Sequence, residues 1–145
     1  MANYVTAFRA STAPSDLLGS SGSPVTLGTT YAAGGTSSAF EMSLQKYVSF
    51  MVYVSALGGA SRLDLQLEVA ETLGSSDWVP LQTESVSAGI ATQSDYEIQK
   101  AVSGTGLVLA ASIPVRGFRY WRIKMKSNAG SPQVYVRYFG SGGPV

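Results

Sequence analysis

Along residues 119–126, Arg119, Trp121, Ile123 and Met125 alternate with Tyr120, Arg122, Lys124 and Lys126. A strand there turns one face to a core and keeps the other wet and cationic. Residues 133–139 repeat the pattern, with Val134, Val136 and Tyr138 set against Gln133, Tyr135 and Arg137. The Asn-Ala-Gly-Ser-Pro run between them, 128–132, predicts a tight turn, and the two arms read as one hairpin over 117–140. Aromatic side chains on both of its faces predict that a second layer covers it.

The middle of the chain is patterned as clearly. In residues 46–56, Val48, Phe50, Val52 and Val54 share one face and Tyr47, Met51 and Tyr53 the other, which predicts a central strand. In residues 62–71, Leu63, Leu65, Leu67 and Val69 alternate with Arg62, Asp64, Gln66 and Glu68. Helical spacing would scatter those four apolar residues around the axis, so the segment reads as a strand with one wet face.

The remaining elements are shorter. Residues 3–9 form a strand with Tyr4, Thr6 and Phe8 on one side, and 10–24 are Ser, Ala, Gly, Thr and Pro apart from Asp16, Leu17 and Leu18. That composition predicts an extended arm or long loop anchored by the two leucines. Short strands are expected at 25–30 and 39–44 around a Gly34-Gly35 turn, at 83–87 after Trp78, weakly at 96–100, and at 107–113 before Pro114. The total is eight to ten strands and little or no helix. The expectation is an all-β, two-sheet antiparallel β-sandwich, jelly-roll-like or of related Greek-key topology.

Length agrees with one domain over residues 1–145, with 1–24 as an amino-terminal strand and arm and 140–145 as a flexible tail. There is no cysteine, which removes disulfides, thiolate metal sites and thiol nucleophiles. No leader-like segment and no membrane-length apolar run stands out, so the chain reads as soluble, untargeted and without a membrane partner. Charged residues are 13% of the chain and the net charge is +1. Eight of the nine acids fall within 41–97 and six of the ten bases follow Val115. Such polarity steers a partner, aligns copies, or marks strands with different solvent faces.

The absence of histidine excludes the usual general base and the commonest transition-metal ligand. Asp64 and Glu68 share a face, but four residues along a strand put them about 13 Å apart, too far for a glycosidase pair at about 5 to 9.5 Å. Asp77, Asp95 and Glu97 lie near turns without calcium-loop spacing, and Asp77 reads as a turn cap. No phosphate-binding glycine motif is present. The expectation is a non-enzymatic protein with no metal and no cofactor. Arg116, Arg119, Arg122, Lys124 and Lys126 form a basic stripe, but a sequence pI near 7.9 falls short of a nucleic-acid binder, and Trp121 points with the core residues. Trp78, with Asp77 and Tyr96, is the candidate platform for a glycan.

The two-faced 47–54 strand, the alternating 63–69 strand, the turn to Asp77-Trp78-Val79-Pro80-Leu81 and the closing 118–125 segment together resemble structural proteins of tailed-bacteriophage virions. The nearest likeness is to jelly-roll capsid decoration, or cement, proteins. The resemblance spans residues 47–140 and implies a protein of the capsid exterior, made in the host cytoplasm, that binds major capsid protein subunits and itself as a homodimer or homotrimer. Expected contacts are Tyr4, Phe8, Leu17 and Leu18 on the amino-terminal arm, and Tyr120, Arg122, Lys124, Tyr135 and Arg137 on wet strand faces. The alternative is a carbohydrate-binding or receptor-binding module of a phage tail or baseplate, using Asp77, Trp78 and Tyr96.

Overall fold

Period-two alternation over 46–56, 62–71, 96–100, 119–126 and 133–139 turns into strands. The computed structural model describes residues 14–42, 45–74, 76–115 and 117–142. Among them are twelve strands, one 3-10 turn at Ala33–Gly35 and no α-helix. The strands are β1 (Ser15–Leu18), β2 (Val25–Thr26), β3 (Phe40–Glu41), β4 (Tyr47–Ala56), β5 (Arg62–Ala70) and β6 (Val79–Pro80), then β7 (Gln82–Ser87), β8 (Ile90–Asp95), β9 (Glu97–Ala101), β10 (Gly106–Pro114), β11 (Tyr120–Ser127) and β12 (Gln133–Ser141). Nine of them have four or more residues, and seven of these, β4, β5, β7 and β9–β12, fall where strands were expected.

Sheet I has the order β1-β12-β4-β10, with β2 also beside β12. Sheet II has the order β3-β11-β5-β6, with β9 also beside β5, and β7 and β8 form a separate ribbon. All pairings are antiparallel, and five of them are nested: β1 with β12, β3 with β11, β4 with β10, β5 with β9, closing on β7 with β8. Successive pairs alternate between the sheets. The chain is therefore one long folded hairpin wrapped into two layers, which is the jelly roll.

The core lies between the sheets. Val48, Phe50, Val52 and Val54 of β4 and Val134 and Val136 of β12 face Leu63, Leu65, Leu67 and Val69 of β5 and Trp121, Ile123 and Met125 of β11, all nearly sealed from solvent. Trp121 is fully buried, and its indole N–H donates to the Phe118 carbonyl at 2.9 Å. The bond satisfies the one polar group that would otherwise be costly there.

One expectation fails in an instructive way. β11 and β12 form within two residues of the predicted bounds but do not pair with each other: β11 lies between β3 and β5 in sheet II, and β12 between β1 and β4 in sheet I. The 128–132 segment crosses between layers instead of turning a hairpin. It runs beside the 57–61 connection from β4 to β5, which makes the same crossing. Asn128 Oδ1 accepts the backbone N–H groups of Ser61 and Arg62 at 3.1 and 2.8 Å, and Ser131 N donates to Gly58 O at 3.0 Å. Gly130, at φ +69°, lies so close to the Gly58 carbonyl that a Cβ would overlap it.

Other readings shift too. The arm expected over 10–24 contains β1, whose residues Ser15, Asp16 and Leu18 pair with β12. The strands expected at 25–30 and 39–44 shrink to two residues each, and β12 reaches Ser141, so the tail drawn from residue 140 begins inside a strand. β4 is central, as expected, but nothing described covers its outer face, where Tyr47 is 45% exposed. The strand read over 3–9, with Tyr4 and Phe8, lies outside the described residues. So do Arg116 and residues 143–145.

Candidate functional site

The outer face of sheet II is built by the register of β5 against β11, in which Glu68, Gln66 and Asp64 oppose Arg122, Lys124 and Lys126. The face of β5 expected to be wet is not wet: Asp64 is fully buried and Glu68 is 4% exposed. Arg122 Nε lies 2.7 Å from Glu68 Oε1, with Lys124 Nζ 3.4 Å from Oε2. Arg62 holds Asp64 by a fork of 2.7 and 3.0 Å, and Lys126 Nζ stands 3.9 Å away. The acidic middle and basic end of the chain are thus cross-strand partners. Each buried carboxylate is bonded by cations, which offsets the cost of taking it out of water.

This layer extends sideways. The Arg122 guanidinium sits 4.5 Å from the centre of the Trp78 ring, a cation–π contact that occupies one ring face. Tyr31 donates to Glu97 Oε2 at 2.8 Å, Gln99 donates to Glu97 Oε1 at 2.7 Å, and Lys126 Nζ lies 4.6 Å from the centre of the Tyr31 ring. Burial, reinforced by the Glu97 carboxylate, pushes the Tyr31 phenol well above its ordinary range. The bond from Gln99, then that from Tyr31, holds the Glu97 carboxyl below its ordinary range. Gln66 and Gln82 donate to Asp95 at 3.4 and 3.2 Å, tying the base of the β7–β8 ribbon to sheet II.

Beyond that base the ribbon is bare. All its strand residues except Thr83 are exposed, including Val86 at 66% and Ile90 at 68%. Its two-residue turn puts both Ala88 and Gly89 at positive φ, 51° and 76°. That is the geometry hairpin twist requires, here reached with an alanine.

The outer face of sheet I carries a third feature. Tyr53 and Tyr135 are direct cross-strand partners with rings stacked at 4.6 Å and 3° between planes. Arg137 pairs with Asp16 at 3.4 Å and donates to the Pro14 carbonyl at 3.2 Å. With Ser21 these groups line a shallow concavity of about 310 Å³. A larger groove of about 500 Å³ lies by Val69, Val79 and Phe118 at one end of sheet II.

The residues singled out by sequence are therefore divided. Tyr120, Arg122 and Lys124 lie on the outside of sheet II, while Tyr135 and Arg137 lie on the outside of sheet I, so they form two surfaces and not the single one a hairpin would have made. Leu18 is 5% exposed in the core and Leu17 packs against it, which removes Leu18 as a contact and leaves Leu17 only a partial surface. Tyr96 also packs against the core, away from any free platform, while Asp77 is exposed and Trp78 half-buried. Missed by the sequence reading were the parts played by Tyr31 and Tyr53, and β8, which makes a ribbon of the strand expected at 83–87. The segregation of acids and bases was the visible signal for the buried ion pairs. Among the described residues no group of three His, Cys, Asp or Glu side chains is arranged to hold a metal ion, and no helix is long and apolar enough to cross a membrane.

No protein-family model matches this sequence, and no curated protein matches it significantly. Among solved structures, the chain is similar to the TNF Eiger of S. frugiperda at 10% identity and TM-score 0.39, over 88% of this chain and 90% of that one. It is also similar to a carbohydrate-binding module, CBM28, specific for non-crystalline cellulose, at 13% identity and TM-score 0.38, over 86% and 76% of the two chains. Likenesses this distant carry no argument about function. The jelly roll is read from the strand order itself.

Proposed function

We propose that this protein is a non-catalytic assembly module that works by protein–protein contact, as a capsid decoration protein of a tailed-phage virion. The observation that carries the reading is the bare β7–β8 ribbon. A two-stranded ribbon is marginal in water by itself, and exposed Val86 and Ile90 gain about 1.5 kcal/mol or more each if fully buried by a partner. The charge pattern supports it. The cations of β11 are largely consumed by Glu68 and Asp64, so sheet II offers less free charge than its sequence suggests. A protein of this kind stabilises a shell by binding the assembled form and not the free subunit.

The test is co-sedimentation with shells of the cognate major capsid protein, comparing the wild type with the Val86→Lys/Ile90→Lys double variant. Binding at micromolar concentration, weakened tenfold or more in the variant, is the expected result. Absence of wild-type binding would falsify the reading. A second reading, a carbohydrate-binding module, draws on one feature of sheet II: Trp78, Gln66, Gln82 and Asp95 bring an aromatic ring, amides and a carboxylate to one face, a composition suited to sugar hydroxyls. A glycan array probed with wild type and Trp78→Ala decides it: binding that disappears in the variant establishes that reading.

A further inference from the structure

Soluble β proteins guard the edges of their sheets with short strands, charges, bulges or covering segments, because an open edge recruits other strands. Most edges of this protein follow the rule. β1 has four residues, a bulge between Asp16 and Leu18, and the Asp16 charge, while β2, β3 and β6 have two residues each. β9 has five residues and carries Glu97 and Lys100; β7 and β8 carry Glu84 and Asp95.

β10 departs from all of them. It has nine residues, Gly-Leu-Val-Leu-Ala-Ala-Ser-Ile-Pro, with no charge, and it pairs along its length with β4 alone among the described residues. Its bulge lies between Leu107 and Leu109, so residues 109–113 form a straight edge before Pro114. The inward residues Leu109 and Ala111, opposite Val52 and Phe50, remain half-exposed, and Leu107 beyond the bulge is 54% exposed. Unpaired backbone and incompletely covered apolar side chains therefore coincide on one edge.

We infer that the β10 edge pairs with β10 of a second copy of this chain, antiparallel about a two-fold axis, joining two copies of sheet I into one continuous sheet. Three features select that occupant. An uncharged strand meets no like charge when it opposes itself, and the chain as a whole carries only +1, so two copies approach without appreciable repulsion. A two-fold contact requires a self-complementary surface, and a straight antiparallel edge is one. The area also suits a copy already held nearby: five to nine paired residues give an edge about 17 to 30 Å long and about 10 Å thick, below the roughly 1,200 Å² of a standard interface. Such a dimer is weak in solution and gains strength where copies are placed side by side, as on a repeating shell. In that respect the inference deepens the assembly reading, and the two can fail separately.

The experiment uses the full chain. Sedimentation velocity from about 1 to 500 µM should show a reversible monomer–dimer equilibrium, and Ala110→Lys/Ser112→Lys should weaken dimerisation at least tenfold without lowering the thermal midpoint, because both side chains are exposed on the outer face. Since the chain has no cysteine, Ala110→Cys supplies a single thiol that should cross-link copies efficiently on mild oxidation, whereas Gly104→Cys, in the exposed loop before β10, should not. Hydrogen exchange of the amides in 109–113 should slow as concentration rises. A monomer at all concentrations overturns the inference, as does a dimer broken by Val86→Lys/Ile90→Lys and not by the β10 variant. Concentration-independent protection of those amides in 109–113 that do not bond β4 overturns it too, since another segment of the same chain would then cover the edge. Loss of shell binding with dimerisation intact would instead strike only the decoration reading.

Discussion

Arg122 donates to the Glu68 carboxylate at 2.7 Å from the directly opposite position on the neighbouring strand, with Glu68 nearly sealed from water. Removing the cation leaves a buried carboxylate with Lys124 alone, a more serious loss than breaking a surface pair. Arg122→Met should cost about 1 to 3 kcal/mol in urea denaturation. Arg119→Met, which breaks an exposed pair with Glu41, should leave the midpoint unchanged. A double-mutant cycle with Glu68→Gln should show that the two residues of the buried pair do not act additively.

Tyr31 and Glu97 give the fold a readable pH signature. The phenol's folded pKa is raised above its ordinary value of 10.0, so its contribution is whole below pH 10 and is lost as pH climbs from there toward the folded value. Glu97 is lowered from 4.5, so its contribution is present above pH 4.5 and fades as pH falls through the folded value. Tyr31→Phe should remove part of the alkaline decline and, by deleting one of the bonds that depress Glu97, reduce the acid decline as well. Thermal midpoints measured from pH 3 to 11 for both proteins check this, and parallel curves would refute it.

The sandwich was legible because burial of one strand face imposes period-two alternation, and β4, β5, β11 and β12 show it, while β10 was read from a compact apolar run. Which strands pair was not legible, because alternation fixes a face and not a neighbour. The run at 128–132 has turn chemistry suited both to a hairpin and to a crossing between sheets; the choice depends on Gly58, Ser61 and Arg62, some seventy residues earlier in the chain. The same distance hid the fate of Asp64 and Glu68, whose alternation with leucines suggests a wet face until β11 brings cations across from them. The β7–β8 ribbon left little signal because strands exposed on both faces have no hydrophobic period to read.

Ala88 offers a local test of that ribbon. An alanine held at φ 51° beside Gly89 pays for a left-handed backbone that asparagine tolerates more easily. Ala88→Asn should stabilise the ribbon by about 0.5 to 1 kcal/mol, slowing amide exchange in β7 and β8 while leaving the global thermal midpoint nearly unchanged. A shift of the midpoint without local protection would show that the ribbon is coupled to the core more tightly than its exposure indicates.

Gly130 tests the crossing that separates β11 from β12. Its φ of +69° is strained for any side chain, and the space a Cβ would need is taken by the Gly58 backbone, which cannot swing aside as a flexible side chain would. Gly130→Ala should therefore separate two connections that both carry the chain from one sheet to the other, costing more than about 2 kcal/mol and lowering the midpoint by roughly 6 °C or more in a domain of this size. Gly104, which has open space and no positive φ, is the control, and its alanine variant should melt with the wild type. If 128–132 instead formed a free hairpin turn, Gly58 would not constrain it, and Gly130→Ala would cost only the local backbone strain of about 1 kcal/mol. Equal and large losses from Gly130→Ala and Asn128→Ala, with partial rescue of neither by the other, are what a jointly held crossing requires.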